Sequence, residues 1–223
     1  MPATARLSSR RPTLGRPGAG RPTREQSEQR HLELLDLALE LFLERGFELV
    51  TIEAIAAAVG MTKRTVYGLY EDKKAIFKAT VQRAIERWIV PVETLRAVES
   101  DNLEATLRAV ARIRFANATS PAGLRLHRII NAESYRFPEI HRLAYEQGQR
   151  PTIEYLEDLL RRHHRAGAIR ITKPEIAAPA FLGMVTGGPI RGAVLGSATL
   201  EPEEIEERIR YSVRLFLDGA RRR

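Results

Sequence analysis

The chain has 223 residues, 43% of them hydrophobic, enough for one sizeable or two small domains with a real core. It has no cysteine, which excludes disulfides, thiolate metal sites and cysteine nucleophiles and fits a reducing cytoplasm. The net charge of +8 is uneven: residues 1–30 hold seven arginines against Glu25 and Glu28, a net of +5 on a nearly balanced body, and such an arm points to a polyanion, either nucleic acid or an anionic membrane surface.

In chain order, residues 1–30 read as a disordered basic arm with no apolar h-region of the kind a secretory signal needs. Within it the triplet Gly-Arg-Pro occurs twice, ending at Pro17 and Pro22. Proline holds such a segment extended and glycine lets it lie deep, so Arg16 and Arg21 suit a narrow, electronegative minor groove. A tail that gives only diffuse attraction is the other reading.

From His31 the pattern turns helical. Leu35, Ala38, Leu39 and Phe42 follow i, i+3, i+4, i+7 spacing, and Gly46 stops the run. Thr51 caps a short second helix with Ile52, Ile55, Ala56 and Val59 on its buried stripe, and Gly60 ends it. Thr62 caps a third helix from about Lys63 to Tyr70. Asp72 caps a fourth that reaches about Val90 before Pro91. Further helices are expected from Asp101 to Asn117, Pro121 to Tyr135, Pro138 to Arg165 with a break near Pro151, Lys173 to Leu195 and Pro202 to Asp218. The fold class is therefore all-α in two parts, a three-helix unit at 31–78 and a larger helical unit at 79–223.

Residues 176–190 carry no charge, but the run is only fifteen residues long and includes two prolines and three glycines. A membrane span needs about 20 apolar residues. We read it as a helix packed against protein, with Gly183–Gly187 and Gly192–Gly196 spaced for close approach of another helix in a homodimer.

Two short helices joined by Val-Gly-Met-Thr, the second basic and capped, make a helix-turn-helix. With Val66 pointing inward, steps of about 100° place Arg64 on the opposite face, where its guanidinium can read a guanine edge. Lys63 can reach a base or a phosphate, and Thr51, Thr62, Thr65 and Tyr67 offer hydroxyls to phosphates.

The segment 38–77, with Gly46-Phe47, Thr51-Ile52, Val59-Gly60, Thr65-Val66-Tyr67 and Asp72-Lys73, closely resembles the DNA-binding domain of the TetR family of bacterial transcriptional regulators. The resemblance implies a homodimer joined through its last two helices and an effector-binding C-terminal domain. It places Thr51, Lys63, Tyr67 and Lys73 at positions that touch the DNA backbone. Leu69 stands where the family often has Tyr or His and cannot bond a phosphate; the Tyr70 hydroxyl is the candidate substitute.

The effector side is less legible. Arg114 and Asn117 continue an apolar stripe, Leu103–Leu107–Val110, and Glu133 ends another, Leu126–Ile129–Ile130. Polar groups on buried stripes need partners. Either Arg114 pairs internally with Glu133, or emerges at a helix end, or Arg114 and Asn117 face a pocket lined by Trp88, Phe115, Tyr135, Phe137, Phe181 and Met184.

An enzyme finds no support: HExxH, GxSxG and a P-loop lysine motif are absent, and adjacent His163-His164 diverge by about 100° on a helix. No cofactor or metal is expected. The partners expected are a palindromic double-stranded operator, a second copy of the chain and a small-molecule effector, in the cytoplasm and on the nucleoid. The competing reading is an architectural DNA binder with little sequence preference.

Overall fold

The computed structural model describes residues 23–196 and 201–220, and these contain helices and no strand. In order they are α1 (Arg24–Leu49), α2 (Ile52–Val59), α3 (Lys63–Leu69), α4 (Lys73–Trp88), α5 (Val92–Arg96), α6 (Leu103–Thr119), α7 (Pro121–Glu133), α8 (Pro138–Ala144), a π-helical turn (Tyr145–Gln149), α9 (Arg150–Arg165), α10 (Pro174–Val194) and α11 (Pro202–Ala220). Arg16 and Arg21 lie outside the described residues.

Local chemistry sets most boundaries. Thr51, Thr62 and Asp72 each accept the backbone N–H three residues on, from Ala54, Thr65 and Ala75. Gly60 ends α2 in the left-handed conformation, at φ 68°. Gly46 interrupts α1 at φ 73°, in the positive region that only glycine enters freely.

Most helix ends fall within two residues of the expectation, the short α5 adds to the expected helices, and two boundaries differ more. α1 starts at Arg24 rather than near His31, because Thr23 and Gln26 form a reciprocal capping box ahead of a polar turn. The break expected near Pro151 falls before it, in the π-helical turn. Proline lacks an N–H for the preceding carbonyls, and the chain widens by one turn to absorb the mismatch.

The molecule has two hydrophobic cores. The first buries Leu34, Phe42, Ile55, Val66, Ile76 and Phe77 of α1–α4, and it is completed by Ile129, Ile130, Phe137 and Ile140 of the α7–α8 region. The second packs Leu107, Phe115, Leu156, Leu159, Phe181 and Val213 of α6, α9, α10 and α11. The cores do not divide at residue 78. Val81, Ala84 and Ile85 continue the first core along α4, so one rigid helix leaves the helix-turn-helix and enters the second half. At the α6–α7 corner the crossing is close: a Cβ on Gly123 would lie 2.2 Å from the Asn117 carbonyl oxygen.

Candidate nucleic-acid interface and adjoining cavity

α3 is anchored by one residue. Val66 is fully buried, and the rest of the helix, Lys63, Arg64, Thr65, Tyr67, Gly68 and Leu69, is exposed. Among the described residues Arg64 makes no hydrogen bond or ion pair, so its fork is available to a ligand outside the protein. Thr51 and Thr62 accept cap bonds at 3.1 Å, which leaves each hydroxyl hydrogen able to donate. In Thr62 that capacity meets Thr65, with the two hydroxyl oxygens 2.8 Å apart.

Three of the expected contact residues are engaged within the protein. Lys63 pairs with Glu53 on α2, an exposed bridge of small energetic weight that a phosphate can replace. Tyr70 is half-buried with its hydroxyl 2.5 Å from His31 Nε2, so it braces α1 against α3. Lys73 Nζ donates to the carbonyls of Phe47 and Glu48 at 2.8 and 3.1 Å and sits 4.4 Å over the Phe47 ring. Its ammonium thus satisfies the carbonyls freed where α1 breaks at Gly46.

The same broken end of α1 meets the second half of the chain. The Phe47 N–H donates to the Glu133 carboxylate at 3.2 Å, Arg136 pairs with Glu48, and Phe137 packs edge-on to Phe47 with centroids 4.8 Å apart. Phe77 and Phe42 extend this aromatic cluster. Farther along, Arg83 grips Asp36 through two bonds of 3.0 and 3.1 Å, and Arg125 of α7 pairs with Glu40 of α1. Glu133 is therefore not the partner of Arg114.

A cavity of about 250 Å³ lies where α4, α6, α7, α8 and α10 converge. Trp88, Arg114 and Asn117 line it as expected, with His127, Asn131 and Thr186 adding polar groups and Ile85, Leu126, Ile130 and Leu182 forming apolar wall. Five expected residues do not line it. Phe115 and Phe181 turn into the second core, Phe137 into the aromatic cluster, and Tyr135 stands fully exposed. Met184 also misses the wall, because on α10 the cavity-facing stripe is Leu182, Thr186 and Ile190. On α6 the same rule selects Arg114, Asn117 and Ala118 and rotates Phe115 about 100° away.

The cavity carries positive charge. Arg114 Nε is shielded from solvent without a hydrogen-bond partner, and burial lowers the guanidinium pKa from its ordinary value without removing its charge. Burial first, then the Arg114 charge, push the His127 imidazole below its usual range, so it is neutral at pH 7. No Asp or Glu lines the cavity.

On and beside α10 and α11 several large apolar side chains lie open among charged ones. Ile176, Leu195, Tyr211 and Leu215 are more than half exposed, and a Cβ added at Gly183 or Gly187 would meet nothing within 4 Å. Gly192 is half-buried, and Gly196 lies beyond the helix at φ 71°, where it ends α10 rather than packing along it.

Residues 34–80 match the bacterial regulatory proteins of the tetR family, and residues 105–219 match the C-terminal domain of AefR-like transcriptional repressors. The chain belongs to the TetR family. It is a DNA-binding regulator of helix-turn-helix type. Its fold is similar to that of a TetR-family transcriptional regulator from Mesorhizobium loti, with 26% identity and a TM-score of 0.73 over 90% of this chain and 100% of that one. It is also similar to the flavonoid-responsive regulator FrrA, with 32% identity and a TM-score of 0.70 over 88% of this chain and 99% of that one. The transcriptional repressor ComR of Escherichia coli is 29% identical over 93 residues, 40% of this chain and 44% of ComR, so the curated match spans less than half of that relative. Among the described residues no helix is long and apolar enough to cross a membrane, and no group of three His, Cys, Asp or Glu could hold a metal ion.

Proposed function

We propose that this TetR-family chain is a homodimeric repressor that reads a palindromic operator and is released by a small molecule in the α4–α10 cavity. The observation that carries the reading is the continuity of α4, which runs from its cap beside α3 to Trp88 in the cavity wall. A ligand that binds one α4 position better than the other shifts the recognition helices with it. α7 supplies a second connection, because Leu126, His127 and Ile130 line the cavity while Glu133 holds the end of α1.

Dimerisation through α10 and α11 is supported by the open glycines and exposed apolar side chains on their outer face. In such a dimer the two α3 helices enter successive major grooves, with Arg64 at the base edges and Thr51, Lys63 and Tyr67 at the phosphates. Repression is supported by the match of the C-terminal half to a repressor domain, and response to a small molecule by the likeness to a flavonoid-responsive regulator. Selection of binding sites from random duplex DNA by the full chain tests the reading. A recurrent palindrome is the expected result, and enrichment of base composition without a motif identifies an architectural binder instead.

A further inference from the structure

About half of the cavity wall is apolar; the polar half includes His127, His141, Tyr145 and Gln149 and holds one permanent charge, Arg114, with no carboxylate in the wall to neutralise it. Among the described residues Arg114 has no hydrogen bond and no ion pair, and burial together with the Arg114 charge disfavours the charged form of His127 in the same wall. Glu133 of α7, the partner that the sequence suggests for Arg114, is bound to the Phe47 N–H. A shielded cation without a partner is costly unless a ligand supplies the missing charge. Asn117 lies one helical turn from Arg114 on α6, and Asn131 of α7 lines the same cavity. Trp88, Ile85, Leu126 and Leu182 offer an apolar wall for a hydrocarbon body. Its volume equals that of about eight waters, which admits one or two rings with a short acidic arm.

We propose that the effector is a small amphipathic organic anion, a carboxylate on a hydrophobic ring body, whose charge is held by Arg114 with Asn117 and Asn131 beside it and whose body packs against Trp88. This rests on the reading of the cavity as the effector site. It adds the sign of the ligand's charge and the end of the cavity at which that charge sits. A bidentate guanidinium–carboxylate pair is stronger than a bond between neutral groups and fixes the orientation of a planar acid.

Trp88 is the sole tryptophan of the chain and lines this cavity; it also borders a second hollow beside Arg83, Arg87 and Arg125, so the Arg114 variants decide which of the two a change in emission reports. The full-length protein is titrated with benzoate, 3-phenylpropionate and 3-cyclohexylpropionate and with their three amides, exciting at the red edge of the indole band. Acids are expected to bind about tenfold or more tightly than the matching amides. Arg114→Gln should abolish that preference and Arg114→Lys should keep part of it, with thermal melts showing that both variants fold. Amides that bind as well as acids, a preference that survives Arg114→Gln, or failure of every acid to bind at millimolar concentration would overturn the proposal. Release from the selected operator is measured separately by anisotropy. Acids that bind without releasing DNA defeat the repressor reading and leave the anion site standing; amides that release DNA do the reverse.

Discussion

Replacing Glu133 with alanine tests whether the α7–α8 connection holds the helix-turn-helix in place. The Glu133 carboxylate accepts the Phe47 N–H at 3.2 Å in a half-buried seam, at the residue that follows the break in α1. Alanine leaves that N–H without its charged acceptor. A buried donor stranded in this way costs about 1–3 kcal/mol, and water reaching a half-buried site brings the figure toward about 1–2. For a chain of this length each kcal/mol lowers the melting temperature by about 2–4 °C, so a fall of about 2–8 °C is expected. If the bond also fixes the DNA-competent arrangement, operator affinity falls by no more than the same energy, about 5–30-fold. Glu133→Gln keeps an acceptor oxygen and should recover part of both losses. Glu48→Ala removes only an exposed ion pair to Arg136 and should cost at most about 1 kcal/mol. Melts followed by circular dichroism and anisotropy with operator DNA give the two numbers. An alanine variant that melts and binds like the parent would show that the seam carries neither stability nor coupling.

Arg64→Ala should relax base preference at one position of each half-site and cost about 1–3 kcal/mol there, read by repeating the site selection; an unchanged motif removes Arg64 from the reading role. Gly187→Leu places a branched side chain on the open face of α10, where the single chain has room for it, so monomer folding should survive while sedimentation shows the dimer weakened. An unchanged dimer would move the interface elsewhere. Gly123→Ala drives a methyl into the Asn117 and Ala118 carbonyls and should destabilise the chain by about 1–3 kcal/mol, against the usual gain of alanine in a helix; a higher melting temperature would contradict the close crossing. The Arg162 guanidinium, then the Tyr155 hydroxyl, hold Glu99 below its ordinary 4.5, so its contribution is complete above pH 4.5 and is lost as pH falls through the lowered value. The stability gap between the parent and Glu99→Gln should therefore close on acidification, and a gap independent of pH would refute the assignment.

What was legible in the sequence is what is decided within four residues. Thr51, Thr62 and Asp72 cap their helices because a short side-chain oxygen reaches an N–H three residues on, and Gly46 and Gly60 take positive φ whatever surrounds them. The first turns of α1 escaped because residues 24–30 have no apolar period, and only the Thr23–Gln26 box marks their start. The cavity was half legible. Arg114 and Asn117 betrayed themselves as polar groups on an apolar stripe, but whether an aromatic faces core or cavity turns on one step of helix rotation, which composition does not carry. Phe115, Phe137 and Phe181 went to the cores for that reason. The position of Lys73 was equally hidden, since its acceptors lie 25 and 26 residues away.

Glu133 shows why such distant choices matter. From the sequence, its side chain is a candidate partner for Arg114; the structure gives it instead to the end of α1, and the two outcomes would give different proteins. Paired with Arg114, it would leave a neutral cavity and a helix-turn-helix held to α7 by packing and exposed ion pairs alone. Bound to the Phe47 N–H, it leaves the cavity with an unbalanced guanidinium and ties that cavity's own wall helix to the DNA-reading unit. On the proposed reading, the bond that would transmit occupancy of the cavity joins residues 86 apart in sequence. On the same reading, an anion that draws Arg114 toward it would act on α6, and the close backbone contact of α7 with α6 at Gly123 is a route by which that pull would reach α7 and Glu133.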